Sequence, residues 1–422
     1  MLKNKYFILS YTIFLTHLYI SFFVGEATNP GAIIDNQITF QYVEMFFGGF
    51  QKGIIEFAES GQRVSPLFFF FISIFYDTIG EYLTRILYIF LSSLIPIIFF
   101  KIISTRYNIK DNFINLLILS FSLYFNPFFR ASAIYITSDN LILFFFSISI
   151  LEFVKFEKKE KKKNFFLFLL FMFFSIYLRP TFLLIILSFF ILKKKIFRKI
   201  INIYSLLFIT ILIIPIIFYQ YIYFIKFANS EKNLDLNLNF LISLQVFLSI
   251  LFVSLFPILL SKKIIKKFLF FLKKNLLLFG TLFISIIVTS YIFPYYDLYT
   301  QSINRSSSSL LGTGGGLFYK ISLLLSNYFI FVTSCFLGLL IVIFLFKNNY
   351  KSYLFLIFLM LCYPLKILYQ KYYEIYSLIL IFGVCYSPII LKIIKNKTIY
   401  SCFLFFLWNL IIYILSIFYY SV

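Results

Sequence analysis

The sequence predicts an all-α polytopic membrane protein, and three observations carry this prediction. Hydrophobic residues make up 62% of the chain, charged residues only 13%, and the mean hydropathy is +0.96. Apolar runs of about 20 residues, long enough to cross a bilayer core as helices, recur along almost the whole sequence. Lysine-rich segments separate these runs. Because backbone polar groups must be satisfied internally within lipid, the pattern predicts a helical bundle and excludes a soluble globular protein.

Threading the apolar runs between the lysine clusters gives about thirteen transmembrane helices in a single domain, 1–422. Basic loops mark the cytoplasmic side, so Lys3 and Lys5 place the N-terminus there. The first run is long and lacks a clear small-residue cleavage site before Gly25, so we interpret it as an uncleaved span rather than a signal peptide. The predicted spans are 6–24, 82–100, 112–126, 132–152, 164–178, 181–192, 200–225, 241–260, 275–293, 318–346, 352–368, 373–391 and 399–420.

The distribution of charge supports this threading. The loops assigned to the cytoplasm hold 27 of the 38 Lys and Arg residues but only four of the 16 acidic residues. The net charge of +22 is therefore explained by topology and contact with membrane lipids, and no nucleic-acid partner is expected. The segment 262–274, with Ile and Phe between its lysines, is predicted to lie along the membrane interface as an amphipathic helix.

Two segments depart from the simple pattern of straight spans. The apolar segment Leu67–Tyr76 is too short to cross a bilayer, so we predict a helix at the outer interface. The stretch 164–192 lies between two lysine clusters, which a single span would place on opposite sides. Arg179-Pro180 at its centre predicts two short helices, because Pro breaks a helix and irregular backbone at depth is tolerated where it lines a cavity.

Polar residues concentrate in the predicted first outer loop, 25–81, which directly follows the first span. The first forty residues of this loop, 25–64, hold five of the sixteen acids: Glu26, Asp35, Glu44, Glu56 and Glu59. Arg63 lies in the same loop. A later outer loop, 294–317, contains a glycine-rich run that is either a substrate cover or a plain linker. Other polar residues lie at or near the predicted outer ends of spans: Arg130, Tyr135, Asp139, Arg179, Gln370, Lys371, Tyr372, Tyr373 and Glu374. Ionisable residues at membrane depth usually face a cavity.

Asp35 in the first outer loop is followed by Ser65-Pro66-Leu67-Phe68, Thr78-Ile79-Gly80 and Thr84-Arg85-Ile86-Leu87. The order of these features resembles the GT-C superfamily of membrane glycosyltransferases. Shorter segments are similar to those of the dolichyl-phosphate-glucose α-1,2-glucosyltransferases. They are Tyr135–Asp139, Tyr177–Thr181, and Tyr363-Pro364-Leu365 followed by Gln370–Tyr373.

The resemblance implies an inverting transfer of a sugar from a polyprenyl-phosphate donor to a lipid-linked glycan or other acceptor at the outer face. Asp35 would be the general base for the attacking hydroxyl. Arg179 and Lys371 would stabilise the leaving phosphate, while Tyr372 and Tyr373 would stack on sugar or prenyl groups. Arg63, Asp139 and Gln370 complete the expected donor-binding set.

The sequence specifies no cofactor with certainty, and a divalent metal stays open but is not indicated. The lone histidine, His17, has no second His or Cys nearby. The four cysteines fall in apolar runs without metal-like spacing, so we predict them to be buried small hydrophobes.

Two other functions remain open from the sequence. One is a flippase or exporter of lipid-linked oligosaccharides, and the other is an O-antigen-type polymerase or ligase. The composition favours a bacterial plasma membrane over an endoplasmic-reticulum membrane.

Overall fold

The computed structural model describes residues 2–26, 28–60, 65–109, 112–194, 209–212, 214, 240–294, 315–347, 349–363, 368–395 and 400–421. This part of the chain is 87% helical and contains no strand. Its α-helices are α1 (Leu2–Phe23), α2 (Pro30–Glu44), α3 (Phe50–Glu59), α4 (Pro66–Tyr107), α5 (Phe113–Phe121), α6 (Pro127–Ile134), α7 (Ser138–Lys159), α8 (Lys162–Leu178), α9 (Leu183–Leu192), α10 (Phe240–Leu259), α11 (Lys262–Lys274), α12 (Leu276–Ile292), α13 (Leu317–Leu324), α14 (Tyr328–Phe346), α15 (Tyr350–Leu361), α16 (Glu374–Gly383), α17 (Pro388–Lys395) and α18 (Tyr400–Ser421).

The fold is that of an all-α, multi-pass membrane protein. Five helices of the described residues are long and apolar enough to cross a membrane: Lys5–Phe23, Pro66–Tyr107, Phe240–Leu259, Tyr328–Phe346 and Tyr400–Phe418. Three bent helix pairs would raise the number to eight if each pair is one span. The thirteen predicted spans are thus not confirmed, and the run 200–225 lies almost wholly outside the described residues.

Polar or proline-containing breaks divide several of the predicted apolar runs. The run 112–126 is a helix of only nine residues, α5, followed by a 3-10 turn, Ser122–Phe125. The run 373–391 breaks after Gly383, and its two helical parts are bent by 86°. Hydropathy averaged over a window records such a run as continuous, although its helices are each too short to cross a bilayer.

The predicted first outer loop, 25–81, is largely helical. Asn29 caps α2 by accepting a hydrogen bond from the Gly31 amide, and Pro30 occupies the first turn, where its missing N–H costs nothing. The short apolar segment predicted at the interface forms the beginning of α4. It is separated from the long remainder of that helix at Gly80, whose φ of 77° and ψ of 171° are not helical.

The chain forms two compact units. Unit 1 comprises Met1–Asn108, Ser120–Leu234 and Asn409–Val422, and unit 2 comprises Ile109–Leu119 and Asp235–Trp408.

In unit 1, α7, α8 and α9 pack as successive antiparallel helices. The predicted break is present, because α8 ends at Leu178 and Arg179 has an extended backbone. The rings of Phe153 and Phe189 are 4.6 Å apart, and this contact joins α7 to α9. Asp139 and Glu157 mark the two ends of α7, about 27 Å apart at 1.5 Å per residue.

Three predicted cytoplasmic segments meet at the Glu157 end of unit 1. Lys193 Nζ lies 2.6 Å from Glu157 Oε1, and Arg106 bonds the other carboxylate oxygen. Arg106 follows the predicted span 82–100, Glu157 lies within the lysine-rich segment 155–163, and Lys193 begins the next such segment, 193–199. Their convergence supports the prediction that these segments share one side of the membrane. We call this group the basic end of unit 1.

Unit 2 is organised around α10 and α14, which approach very closely. A Cβ added at Gly338 would lie 1.9 Å from the Leu248 carbonyl oxygen, so only glycine fits there. Ser249 and Ser334 hydroxyls hydrogen-bond across the same contact at 2.7 Å. Small residues and hydroxyl pairs of this kind let helices associate in a bilayer. All four cysteines are buried, as predicted.

Candidate functional site

A buried ion pair lies at the end of unit 1 opposite its basic end. Arg130, on α6, donates from Nε to Glu26 Oε1 at 2.9 Å and from Nη2 to Glu26 Oε2 at 2.7 Å. The Arg130 side chain is 0% exposed and that of Glu26 is 7% exposed. Parallel bonds of this type are the strongest geometry for a guanidinium and a carboxylate.

Further polar groups complete the hydrogen bonding of Arg130 and Glu26. Arg130 also bonds the Ser21 hydroxyl, and its Nη1 lies 2.9 Å from His17 Nδ1. The Tyr413 hydroxyl, on α18, donates to Glu26 Oε2 at 2.8 Å. Burial raises the pKa of Glu26, but the hydrogen bonds and positive charge of Arg130 outweigh it and hold that pKa below its ordinary value of 4.5. The pair therefore joins α1, α6 and α18 around one ionised carboxylate.

Arg85 supports the neighbouring segment that begins α7. Its Nε and Nη2 both donate to the Ile134 carbonyl at 3.2 Å, and its guanidinium lies over the rings of Phe22 and Tyr135. The Tyr88 hydroxyl bonds the Thr137 carbonyl and accepts from the Leu141 amide. These contacts fix the segment Tyr135–Asp139.

Asp139 and Arg179 lie together at the open end of the α7–α8 helical hairpin, opposite its connecting turn. Arg179 Nη2 donates to Asp139 Oδ1 at 3.2 Å. Both side chains retain exposed surface, 19% for Arg179 and 12% for Asp139. Pro180 ends α8 just beyond Arg179, and α7 begins one residue before Asp139, so the two helix ends create the pair. A partly exposed guanidinium beside a carboxylate is suited to binding a phosphate or a sugar hydroxyl.

Asp35 lies in the middle of α2 and is partly buried. Its main-chain oxygen accepts a 2.7 Å hydrogen bond from the Thr39 hydroxyl one turn later. The next side chain, Asn36, is buried, and no hydrogen bond to its Oδ1 is made within the described residues. The predicted base is thus on a regular helix rather than on an irregular loop. Arg63 lies outside the described residues.

The predicted residues Gln370, Lys371 and Tyr372 form a 3-10 turn in unit 2 that leads through Tyr373 into α16. Gln370 is buried and uses both ends of its amide. Its Nε2 donates to Glu374 Oε2 at 2.9 Å, and its Oε1 accepts from the Leu317 amide at 3.1 Å. Gly315, with a φ of 81°, donates to the Leu368 carbonyl. Gln370 therefore ties this turn to the end of the predicted glycine-rich loop.

Aromatic rings surround the turn. Tyr363 and Tyr372 stack at 4.7 Å with an interplanar angle of 11°, and Lys371 Nζ lies 5.7 Å from the Tyr372 centroid. Tyr373 is 0% exposed and packs edge-on against Phe247 at 5.1 Å. In this conformation the stacking role predicted for both tyrosines fits Tyr372, whereas Tyr373 acts as a core residue.

The predicted residues therefore fall into groups in separate units. Asp35, Asp139 and Arg179 belong to unit 1, and Gln370, Lys371, Tyr372 and Tyr373 belong to unit 2. Glu26, Arg85 and Glu374 have no site role predicted from the sequence. The sequence does contain a signal for Glu26 and Arg85. A single charge inside or beside an apolar run is costly, so it is usually paired with an opposite charge.

No group of three or more His, Cys, Asp or Glu side chains among the described residues could hold a metal ion. Comparison with known proteins gives no match to any family model, to any curated protein or to any solved structure.

Proposed function

We propose that the protein is a membrane glycosyltransferase of the GT-C type, which moves a sugar from a polyprenyl-phosphate donor to a lipid-linked glycan or other acceptor. The observation that carries the proposal is the partly exposed Asp139–Arg179 pair, at the end of unit 1 opposite its basic end. The segment that positions Asp139 is one of those that resemble the glucosyltransferases.

The proposed reaction assigns a distinct task to each group. The acceptor hydroxyl attacks the anomeric carbon and gives its proton to Asp35, while the bond between that carbon and the phosphate oxygen breaks. Negative charge grows on the departing polyprenyl phosphate, and Arg179 stabilises it. The donor supplies the bond energy of the transfer, so no nucleotide is consumed.

Transfer from a panel of radiolabelled polyprenyl-phosphate sugars to a lipid-linked acceptor tests the proposal. The assay uses the purified full-length protein. Asp35→Ala is expected to abolish transfer, and Arg179→Ala to slow it by about 10²–10³-fold, the usual effect of losing one group that stabilises transition-state charge. Asp77→Ala is the matched control, because Asp77 is an exposed acid of the same unit without an assigned role.

The outcomes separate the competing functions. Normal transfer by Asp35→Ala would remove Asp35 from the mechanism. Movement of intact lipid-linked oligosaccharide across vesicles, with no transfer from any donor, would instead identify a flippase.

A further inference from the structure

The helix α11 presents the most strongly charged surface in the described part of unit 2. It carries Lys262, Lys263, Lys266, Lys267, Lys273 and Lys274, and all six are exposed. None of its thirteen residues is buried. The helix therefore offers six positive charges to its surroundings without a role in the proposed chemistry.

The six lysines share one face of this helix. At 100° per residue they fall within an arc of about 140°, and the intervening Ile, Leu and Phe residues occupy mostly the opposite arc. Phe268 and Phe271 of that apolar arc contact Phe344 on α14, with ring centroids 5.2 and 5.5 Å apart. Because the apolar arc packs on the protein, the lysine arc faces away from it.

The lysine arc has no carboxylate partner in the described part of unit 2. The single acid described there, Glu374, is buried and bonded to Gln370, and none of the ion pairs among the described residues involves α11. Lys347 adds positive charge nearby, since its Nζ lies 5.5 Å from the Phe271 ring. The basic end of unit 1 differs, because Glu157 balances Arg106 and Lys193 there. No acid among the described residues balances the charge on α11, so an anion from outside the protein would be attracted to it.

The adjoining helix, α12, indicates the environment of the lysine arc of α11. The bend between α11 and α12 is 86°, and α12 starts with Leu276 and Leu277, which are 72% and 88% exposed. Phe270 projects from the lysine face itself and is 70% exposed. An amphipathic helix that lies across the start of an apolar helix, with lysines and an exposed aromatic side by side, is suited to the headgroup level of a bilayer.

We propose that α11 is a binding surface for anionic phospholipid headgroups in the leaflet that α12 enters. The lysines contact the headgroup phosphates, and Phe270 and the leucines of α12 contact the upper acyl chains. A soluble nucleic acid or acidic protein would match the lysines but would leave these apolar side chains in water.

Native mass spectrometry of the full-length protein in detergent tests the proposal. The protein is titrated with phosphatidylglycerol or phosphatidylcholine, and the bound lipids are counted. We expect the wild type to prefer phosphatidylglycerol, and the variant K262Q/K263Q/K266Q/K267Q to lose at least about tenfold of that preference, because each lysine near an anionic surface contributes measurably to attraction. The arginine variant K262R/K263R/K266R/K267R should retain it.

A matched variant elsewhere controls for overall charge. K158Q/K159Q/K161Q/K162Q removes four exposed lysines from the α7–α8 turn of unit 1, and we expect it to retain most of the preference for phosphatidylglycerol.

Equal losses of that preference in both glutamine variants, or no loss in either, would overturn the proposal. Displacement of the lipid by millimolar inorganic phosphate would overturn it in favour of a phosphate site, and tighter binding of an RNA oligonucleotide than of lipid would overturn it in favour of a nucleic-acid surface. If the quadruple variant does not fold, the pairs K262Q/K266Q and K263Q/K267Q carry the same test.

Discussion

Arg130 has no exposed side-chain surface, so its charge must be balanced within the protein. Glu26 supplies the opposite charge from 104 residues away, and Ser21, His17 and Tyr413 complete its surroundings. Taking two ions out of water is costly, and their attraction offsets that cost only when the remaining hydrogen bonds are satisfied. The network meets this condition, so removing either charged member would leave the other buried and uncompensated.

Glu26→Gln is expected to destabilise unit 1 by about 3 kcal/mol, the usual cost of breaking a buried pair. The measurement is denaturant unfolding of the full-length protein in mild detergent. Glu56→Gln is the matched control. Its pair with Lys52 is solvent-exposed, with side chains 68% and 43% accessible, so that substitution should cost less than about 1 kcal/mol.

The pH dependence of the stability of the Glu26→Gln variant provides a second test of this pair. The pKa of Glu26 is lowered in the folded state, so its contribution is fully present above the unfolded value of 4.5 and is lost as the pH falls through the lower folded pKa. The difference in stability between wild type and Glu26→Gln should therefore shrink in acid. A difference that stays constant from neutral pH to well below 4.5 would mean that the carboxylate charge does not carry the effect.

At the scale of the helix, the break at Arg179-Pro180 was predictable from sequence and α2 was not. Proline removes a backbone donor and clashes with the preceding turn, so its consequence is local. The buried face of α2 has helical spacing at Ala32, Asn36, Thr39, Phe40 and Val43. Two of these five residues are polar, and they conceal the apolar stripe that would have identified the helix.

Which charged residues pair with one another was less predictable from the sequence than the helices on which they lie. Asp139 and Arg179 each lie at a helix end, which a sequence can locate, and they are 40 residues apart. Glu26 and Arg130 depend on the packing of helices from distant parts of the chain. No local pattern specifies which helix ends meet, because that is decided by tertiary packing.

The contact of α10 with α14 makes the sharpest prediction at this scale. Gly338→Ala would place a methyl group 1.9 Å from the Leu248 carbonyl oxygen, so the helices must separate. We expect a loss of about 1–3 kcal/mol, as for other overpacked contacts, measured by thermal or denaturant unfolding in detergent.

Gly280→Ala is the control for the Gly338 substitution. A Cβ at Gly280, on α12, meets no atom within 4 Å, so alanine there should be neutral or stabilise the helix by up to about 1 kcal/mol. Equal effects at both glycines would show that helix propensity rather than close packing decides the outcome.

At the scale of the whole molecule, charge predicts which ends of the helices face the cytoplasm. In unit 1 the basic end and the Asp139–Arg179 pair lie at opposite ends of α7, about 27 Å apart, a separation close to the thickness of a bilayer core. The positive-inside rule assigns the basic end to the cytoplasm. The proposed chemistry then takes place on the other side, where polyprenyl-linked sugars would have to be presented.

Accessibility of single cysteines tests this sidedness. In a background with Cys335, Cys362, Cys385 and Cys402 replaced by serine, a membrane-impermeant thiol reagent is applied to intact cells and to inverted vesicles. Glu56→Cys, on α3, should react from outside, and Lys161→Cys, at the α7–α8 turn, only after inversion. Lys267→Cys, on α11, should behave like Lys161→Cys, since both clusters are predicted to be cytoplasmic. The four native cysteines are buried, so the wild-type chain should remain unlabelled on either side and serves as the control.

Reaction of Glu56→Cys and Lys161→Cys from the same side would contradict the threading, and an outer-face transferase would then lose its topological basis. Opposite behaviour of Lys267→Cys and Lys161→Cys would contradict the cytoplasmic assignment of α11 alone.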